Sequence, residues 1–168
     1  GQADSNVATV TLTIDPVNDA PSFLKGSDQI VTAGTGLQSV ANWATAISAG
    51  PPDESSQVVN FVATNNSPAL FSVQPFITPN GILTFSPATN AHGTATVTLR
   101  LHDNGGTNNG GIDTSPAQTF TITVTPVNDA PVLTSIPDQT LHAQSTLNIT
   151  NTAIDADIPP NTLTFSLT

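Results

Sequence analysis

The sequence predicts an all-β protein made of tandem Greek-key β-sandwich modules, and three observations lead to that fold class. Apolar residues recur at every second position over most of the chain, which is the period of a half-buried strand. Fourteen prolines and eleven glycines interrupt longer helical patterns. The pentapeptide Val-Asn-Asp-Ala-Pro occurs at Val17–Pro21 and at Val127–Pro131, 127 − 17 = 110 residues apart, which is about the length of one β-sandwich domain.

The clearest strand patterns stand just before the two copies of this pentapeptide, at residues 7–14 and 119–124. Both alternate threonine with aliphatic or aromatic residues, so each predicts a strand with one apolar face. That face carries Val10, Leu12 and Ile14 in the first segment and Phe120, Ile122 and Val124 in the second.

Strands with the same period are predicted between these two segments, at Val58–Ala63, Ile82–Phe85 and Ala95–Leu101. Asn80-Gly81 precedes the second of them and is typical of a tight hairpin turn. We therefore expect one complete sandwich of about seven strands.

The repeat divides the chain into three parts. Residues 1–18 are the last strand of a preceding module with its linker, residues 19–128 are a complete module, and residues 129–168 are the first part of a following module. Further matches between the last two parts support this division: Asp28-Gln29 with Asp138-Gln139, Thr45–Ile47 with Thr152–Ile154, and Phe61 with Phe165.

Two interpretations of the partial modules remain open. In the first, the sequence was cut from a longer array of repeats. In the second, copies of the chain complete each other, with the strand at residues 5–14 adding to a partner's half-module.

The composition excludes several classes of partner. Lys25 and Arg100 are the only lysine and arginine against twelve acidic residues, giving a net charge of −10, so binding to nucleic acid or to an anionic membrane is disfavoured. Cysteine is absent, which excludes disulfides, thiolate metal sites and a cysteine nucleophile. No signal peptide or membrane-spanning run is visible. A surface rich in threonine, asparagine and serine favours an extracellular location, and no catalytic constellation is evident.

A candidate cation site lies near the end of the chain. Asp155 and Asp157 alternate along an extended loop, and Asn161 follows. Carboxylate and amide oxygens suit Ca²⁺, which takes six to eight oxygen ligands. A solvated aspartate-rich turn is the competing interpretation.

The chain resembles the cadherin family and, more closely, the immunoglobulin-like repeats of large bacterial surface adhesins. The cadherin linker pattern Asp-x-Asn-Asp-Asn-x-Pro is similar to Asp15–Pro21 and, more weakly, to Thr125–Pro131. The family's Asp-x-Asp…Asn pattern resembles Asp155, Asp157 and Asn161, and its Asp-x-Gly resembles Asp103-Asn104-Gly105.

This resemblance implies calcium held at the joints between modules. Carried over by position, the first joint would use Asp15, Asn18, Asp19 and Asp103, helped by Asp53 or Glu54, and the second would use Asn128, Asp129, Asp155, Asp157 and Asn161. The complete module departs from the pattern, because Ser48-Ala49-Gly50 stands where the next module has Asp155-Ala156-Asp157.

Two other residues invite a functional interpretation. The single lysine, Lys25, could form an isopeptide crosslink with an asparagine, although a surface lysine is the simpler expectation. The single tryptophan, Trp43, is expected to plug the core, whereas an exposed ring could stack on a sugar.

The expected function is that of a non-catalytic structural repeat in an extracellular adhesin or surface filament. Its partners would be neighbouring modules or identical subunits, or surface glycans on another cell, with calcium stiffening the joints. The alternative is a carbohydrate-binding module, using Trp43 and the loop 103–113, or an accessory domain of a secreted polysaccharide-active protein.

Overall fold

A computed structural model describes residues 1, 3, 6–157 and 161–166 of the chain. Three short 3₁₀ turns, at Pro52–Glu54, Pro68–Leu70 and Asn108–Gly110, are the only helical segments within that part of the chain. The strands are β1 (Ser22–Leu24), β2 (Gln29–Thr32), β3 (Gln38–Val40), β4 (Thr45–Ser48), β5 (Asn60–Asn65), β6 (Phe71–Ile77), β7 (Leu83–Pro87), β8 (Gly93–His102), β9 (Gln118–Thr125), β10 (Val132–Leu133) and β11 (Ala153–Ile154). The predicted all-β class is confirmed.

Two sheets form the sandwich. The first has the strand order β2-β9-β8-β5 and the second has the order β3-β7-β6, while β1 and β4 form a small antiparallel pair. All pairings within the two sheets are antiparallel except that of β2 with β9, which is parallel from Gln29 opposite Ile122 to Thr32 opposite Thr125. β2, near the start of the module, and β9, its last strand, are therefore neighbours.

Strict alternation explains the two longest strands. In β8 the buried positions are Ala95, Val97, Leu99 and Leu101, each 0% exposed, and two threonines and Arg100 lie between them on the outer face. The predicted inward face of β9 is likewise confirmed, since Phe120, Ile122 and Val124 are at most 2% exposed. Burying each large apolar side chain contributes about 1.5–3 kcal/mol, so these two strands supply much of the core.

Trp43 lies in that core and is only 3% exposed. Its ring packs against Phe120 with the centroids 4.3 Å apart, and its indole Nε1 donates a hydrogen bond of 3.0 Å to the carbonyl of Ser27. The expectation of a core plug is confirmed. The alternative of an exposed sugar-stacking ring is wrong, because the ring is buried inside the sandwich.

The predicted turn at Asn80-Gly81 joins β6 to β7. The amide of Gly81 donates to the carbonyl of Thr78 over 2.8 Å, and Gly81 has a φ of +85°. A Cβ at this position would also lie 2.0 Å from the carbonyl oxygen of Ala44. Both the backbone conformation and the close packing therefore require glycine here.

The prediction of a strand over residues 7–14 is wrong. This segment is not a strand, and Val10, Leu12 and Ile14 are 90%, 82% and 82% exposed. A single extended segment without a neighbour leaves its amides and carbonyls unpaired and its apolar face in water. The alternating pattern makes this segment able to join a sheet, but no strand among the described residues pairs with it.

Two other boundaries differ in detail. The strand predicted at Val58–Ala63 begins two residues later, at Asn60, because the amide of Val58 is bonded to the side chain of Asn104 instead. Between residues 126 and 157, the structure forms only the short β10–β11 pair. The division of the chain at residues 18/19 and 128/129 stays a prediction.

Candidate cation-binding joint

The linker before β1 runs across one end of the sandwich, where two loops meet it. One loop follows β4 and contains the 3₁₀ turn Pro52–Glu54, and the other follows β8 and begins with Asp103. Pro21, at the end of the linker, is fully buried. The linker is therefore fixed to the module at the point where the two acidic loops approach it.

Asn18 is the centre of this joint. Its side-chain amide donates to Asp103 Oδ1 over 3.0 Å and to the carbonyl of Ile112 over 2.8 Å. Its side-chain oxygen accepts a hydrogen bond of 2.7 Å from Gln57 Nε2. The backbone carbonyl of Asn18 also accepts from the amide of Ile112, over 2.9 Å. One linker side chain thus joins both loops.

Asp103 is completely buried where β8 ends. Its Oδ1 accepts the bond from Asn18 and a second one, of 2.9 Å, from the amide of Gly105. Gly105 allows the linker to come this close, since a Cβ there would lie 1.7 Å from Asn18 Oδ1. The other carboxylate oxygen, Asp103 Oδ2, accepts no hydrogen bond.

Glu54 occupies a matching position on the other loop and is 6% exposed. Its Oε1 accepts a hydrogen bond of 2.8 Å from the amide of Asp19. Its Oε2 accepts none and packs against Gly50, where an added Cβ would lie 1.7 Å from this oxygen. Of the two acidic residues predicted as helpers of the first joint, Glu54 is the buried one, and Asp53 is exposed.

Three buried side-chain oxygens at this joint have no hydrogen-bond partner: Glu54 Oε2, Asp103 Oδ2 and Gln57 Oε1. Among the described residues, every other buried side-chain oxygen or nitrogen atom has a hydrogen-bond partner. An unpaired buried polar group costs about 1–3 kcal/mol, and a charged one costs more. A cavity of about 230 Å³ lies between linker residues 16–18 and a wall formed by Asp53, Glu54, Gln57 and Gly105.

The first joint therefore includes some of the predicted residues and not others. The structure brings Asn18, Glu54 and Asp103 together through hydrogen bonds, and Asp53 lines the cavity. The side chains of Asp15 and Asp19 are exposed. Gln57 was not predicted, because a lone glutamine three residues after an acidic one carries no recognisable ligand pattern.

At the second joint, one network of hydrogen bonds connects all five predicted residues. The amide of Asp129 donates to Asp157 Oδ1 over 2.7 Å, and the amide of Asp157 donates to Asp155 Oδ1 over 2.9 Å. Asn161 Nδ2 donates to Asp157 Oδ2 and, over 3.4 Å, to Asn128 Oδ1.

The two joints share one interaction and differ in another. Asp19 and Asp129 are equivalent in the repeat, and each donates its backbone amide to a buried carboxylate, Glu54 in the first joint and Asp157 in the second. Both oxygens of Asp157 accept hydrogen bonds, whereas one oxygen of Glu54 accepts none. The first joint is thus the one that keeps a buried carboxylate oxygen without a hydrogen-bond donor.

Carboxylates alone do not complete a metal site at either joint. In the described ranges, no three side chains of the histidine, cysteine, aspartate and glutamate types are grouped so that they could hold an ion. What the first joint contains instead is two buried carboxylates, Glu54 and Asp103, and the unpaired side-chain amide oxygen of Gln57. Such a mixed oxygen set fits Ca²⁺, which accepts amide and carbonyl ligands as well as carboxylates.

The remaining candidates do not form a site. Lys25 is exposed, and its ammonium group lies 3.5 Å from the carbonyl of Gly26, so the expectation of an ordinary surface lysine holds. His102 Nε2 lies 3.4 Å from Asp113 Oδ2 at the base of the loop 103–113. Over the residues described, no helix is long and apolar enough to cross a membrane.

No protein-family model matches the chain, and no curated protein matches its sequence.

Proposed function

We propose that this chain is a non-catalytic structural segment of an extracellular adhesin or surface filament, and that calcium stiffens the joint between its linker and its complete module. The observation that carries the proposal is the set of three buried, unpaired oxygens on Glu54, Gln57 and Asp103. They belong to side chains that are already bonded to one another through the linker residues Asn18 and Asp19.

The residues that would hold the ion are Glu54, Asp103 and Gln57. Calcium supplies positive charge and accepts oxygen ligands in a flexible shell. The two buried carboxylates repel each other in the absence of a cation, and only one oxygen of each is compensated by a hydrogen bond. Asn18 donates to one oxygen of Asp103, and Asp19 donates to one oxygen of Glu54. A cation that neutralises the other oxygen of each carboxylate would therefore stabilise the linker in the position that these hydrogen bonds already give it.

The net charge of the chain supports this assignment. A charge of −10 raises the local concentration of cations around the acidic loops. With two buried carboxylates, we expect the weak affinity of extracellular modules, with a Kd of about 10⁻⁴–10⁻³ M. Such an affinity suits an environment in which calcium is constantly present at millimolar concentration.

Calorimetry with and without calcium tests this function. At ten times the Kd, binding should add about 1.4 kcal/mol to the free energy of unfolding, which raises the Tm by several degrees. Glu54→Gln and Asp103→Asn should both abolish the increase, whereas Asp138→Asn, an exposed aspartate far from the joint, should retain it. If the wild-type chain melts at the same temperature in chelator and in 10 mM calcium, the proposed function is wrong.

A further inference from the structure

The last strand of the complete module has an unpaired equivalent at the start of the chain. β9 (Gln118–Thr125) precedes the second pentapeptide by the same spacing as residues 8–15 precede the first. Shifting by 110 residues places Val10, Leu12 and Ile14 at the positions of Phe120, Ile122 and Val124. The former three are 82–90% exposed, and the latter three are at most 2% exposed.

The neighbour of that strand also has an unpaired equivalent, near the other end of the chain. β2 (Gln29–Thr32) pairs in parallel with β9, and the same shift turns β2 into residues 139–142. Residues 139–142 are exposed and are not part of a strand. One hydrogen bond at their start is nevertheless the same in both places: Gln139 Nε2 donates to the carbonyl of Pro137 over 2.8 Å, as Gln29 Nε2 donates to that of Ser27 over 2.9 Å.

From these equivalences we propose that residues 8–15 of one copy of the chain dock as a parallel strand on residues 139–142 of a second copy. The register follows from the β2–β9 pairing and puts Leu12 opposite Gln139, Thr13 opposite Thr140, Ile14 opposite Leu141 and Asp15 opposite His142. This proposal does not rest on calcium binding at the first joint.

A side-chain contact that frames the β2–β9 pairing can also be reproduced. Asp28 Oδ1 accepts a hydrogen bond of 2.8 Å from the amide of Thr121. The equivalent pair between copies is Asp138 with the amide of Thr11, and both residues are present in the sequence. The repeated Asp-Gln dipeptide can thus make the same two hydrogen bonds at residues 138–139 of the second copy as it makes at residues 28–29.

Charge distribution favours a second copy as the occupant. Although each chain carries a charge of −10, residues 6–14 and 139–154 contain no aspartate, glutamate, lysine or arginine. Repulsion between copies is therefore smallest where these segments meet. At the edge of the contact, the register places Asp15 opposite His142.

The contact is head-to-tail, because the two surfaces come from opposite ends of the chain. Such a heterologous contact does not close on itself unless the rotation between copies allows a ring, and it otherwise propagates into a filament. Docking would also place Ile14 beside Leu141, as Val124 lies beside Val31, and so shield part of the apolar face of Val10, Leu12 and Ile14 from water.

Disulfide trapping in the cysteine-free chain tests the register directly. A ¹⁵N-labelled Thr13→Cys chain is mixed with an unlabelled Thr140→Cys chain under mild oxidation, so that heterodimers have an intermediate mass. Thr13 and Thr140 correspond to Thr123 and Ile30, which lie outside the core, so the substitutions leave the apolar face intact. The pair Thr13→Cys and Thr140→Cys should form its heterodimer several-fold faster than the pair Thr11→Cys and Thr140→Cys, in which the first cysteine is two residues out of register.

Sedimentation of the wild-type chain provides a second measurement. We expect association that grows with concentration, weakened about tenfold or more by Leu12→Asp, which would bury a charge, and little changed by Thr13→Asp on the opposite face. Both sites lie in a segment that is exposed within a single copy, so the folding of the module is not at risk. A chain that stays monomeric at millimolar concentration, or cysteine pairs that crosslink equally in and out of register, would overturn the proposal.

Discussion

Asn18 shows how one short polar residue can hold a joint together. Its amide and carbonyl groups make three side-chain hydrogen bonds to three different parts of the module. Asparagine suits this position because it both donates and accepts, whereas aspartate at neutral pH only accepts. An aspartate here would also face the buried carboxylate of Asp103.

Asn18→Ala should therefore destabilise the complete module. The substitution leaves the carbonyl of Ile112 and one oxygen of Asp103 with fewer partners, which costs about 1–3 kcal/mol. Urea denaturation measures the loss as a lower midpoint.

The matched control is Asn128→Ala at the equivalent residue of the second pentapeptide. Asn128 is exposed, and its side-chain contacts are long, at 3.3 and 3.4 Å. We expect this variant to unfold within about 0.5 kcal/mol of wild type. Equal losses for the two variants would show that the network around Asn18 contributes nothing specific.

The sequence could not predict the complete donor set of this joint. The resemblance to the cadherin-type patterns pointed to Asp103, with Asp53 or Glu54 as a helper, but burial and not pattern separates Glu54 from Asp53 and Asp15. Gln57 enters only because the loop folds it against Asn18. Amide ligands have no distinctive sequence signal, since glutamine is usually solvated.

At the scale of single elements, alternation predicted β8 and β9 and their buried faces because both flanking strands are present. The same alternation failed for residues 7–14, where the partner strand is missing from the described structure. The two sheets of the sandwich contain seven strands, as predicted, and β1 and β4 form a further antiparallel pair that the sequence did not predict. Of these elements, β1, β3 and β4 are only three or four residues long. Segments this short show too few alternations to be recognised.

The turn between β6 and β7 allows a test at this scale. Gly81→Ala should destabilise the module by more than Gly34→Ala, although both residues have positive φ. At Gly34 an added Cβ meets no atom within 4 Å, so only the backbone penalty of about 1 kcal/mol applies. At Gly81 the Cβ collides with the carbonyl oxygen of Ala44.

Thermal unfolding of the two variants separates the two contributions. The difference between them reports the close contact alone, because the backbone term is common to both. Identical Tm values would mean that the loop moves away from Ala44 without cost, and that the tight packing of this turn is unimportant.

At the scale of the whole molecule, order is concentrated between residues 21 and 125, where every core residue lies. Outside this region, apolar side chains such as Val7, Leu133, Ile149 and Phe165 are exposed. Native-state hydrogen exchange should therefore show two classes of amides.

Amides of β8 and β9 should exchange only through global unfolding, and those of residues 6–14 and 135–151 should exchange about as fast as a free peptide at low protein concentration. A uniform protection pattern would contradict this division of the chain. Because strand docking between copies would protect the second class as concentration rises, the measurement is best made at several concentrations.

The parallel pairing of β2 with β9 has a mechanical consequence. When the chain is pulled through its two linkers, tension first reaches β1, which is paired with β4. Once this three-residue strand yields, tension reaches β2 at its amino end, while β9 is loaded at its carboxyl end. The two strands are then loaded in shear, and the hydrogen bonds of their ladder must yield together, not one after another as in an unzipping hairpin. A module of this topology is suited to bearing tensile load without extending.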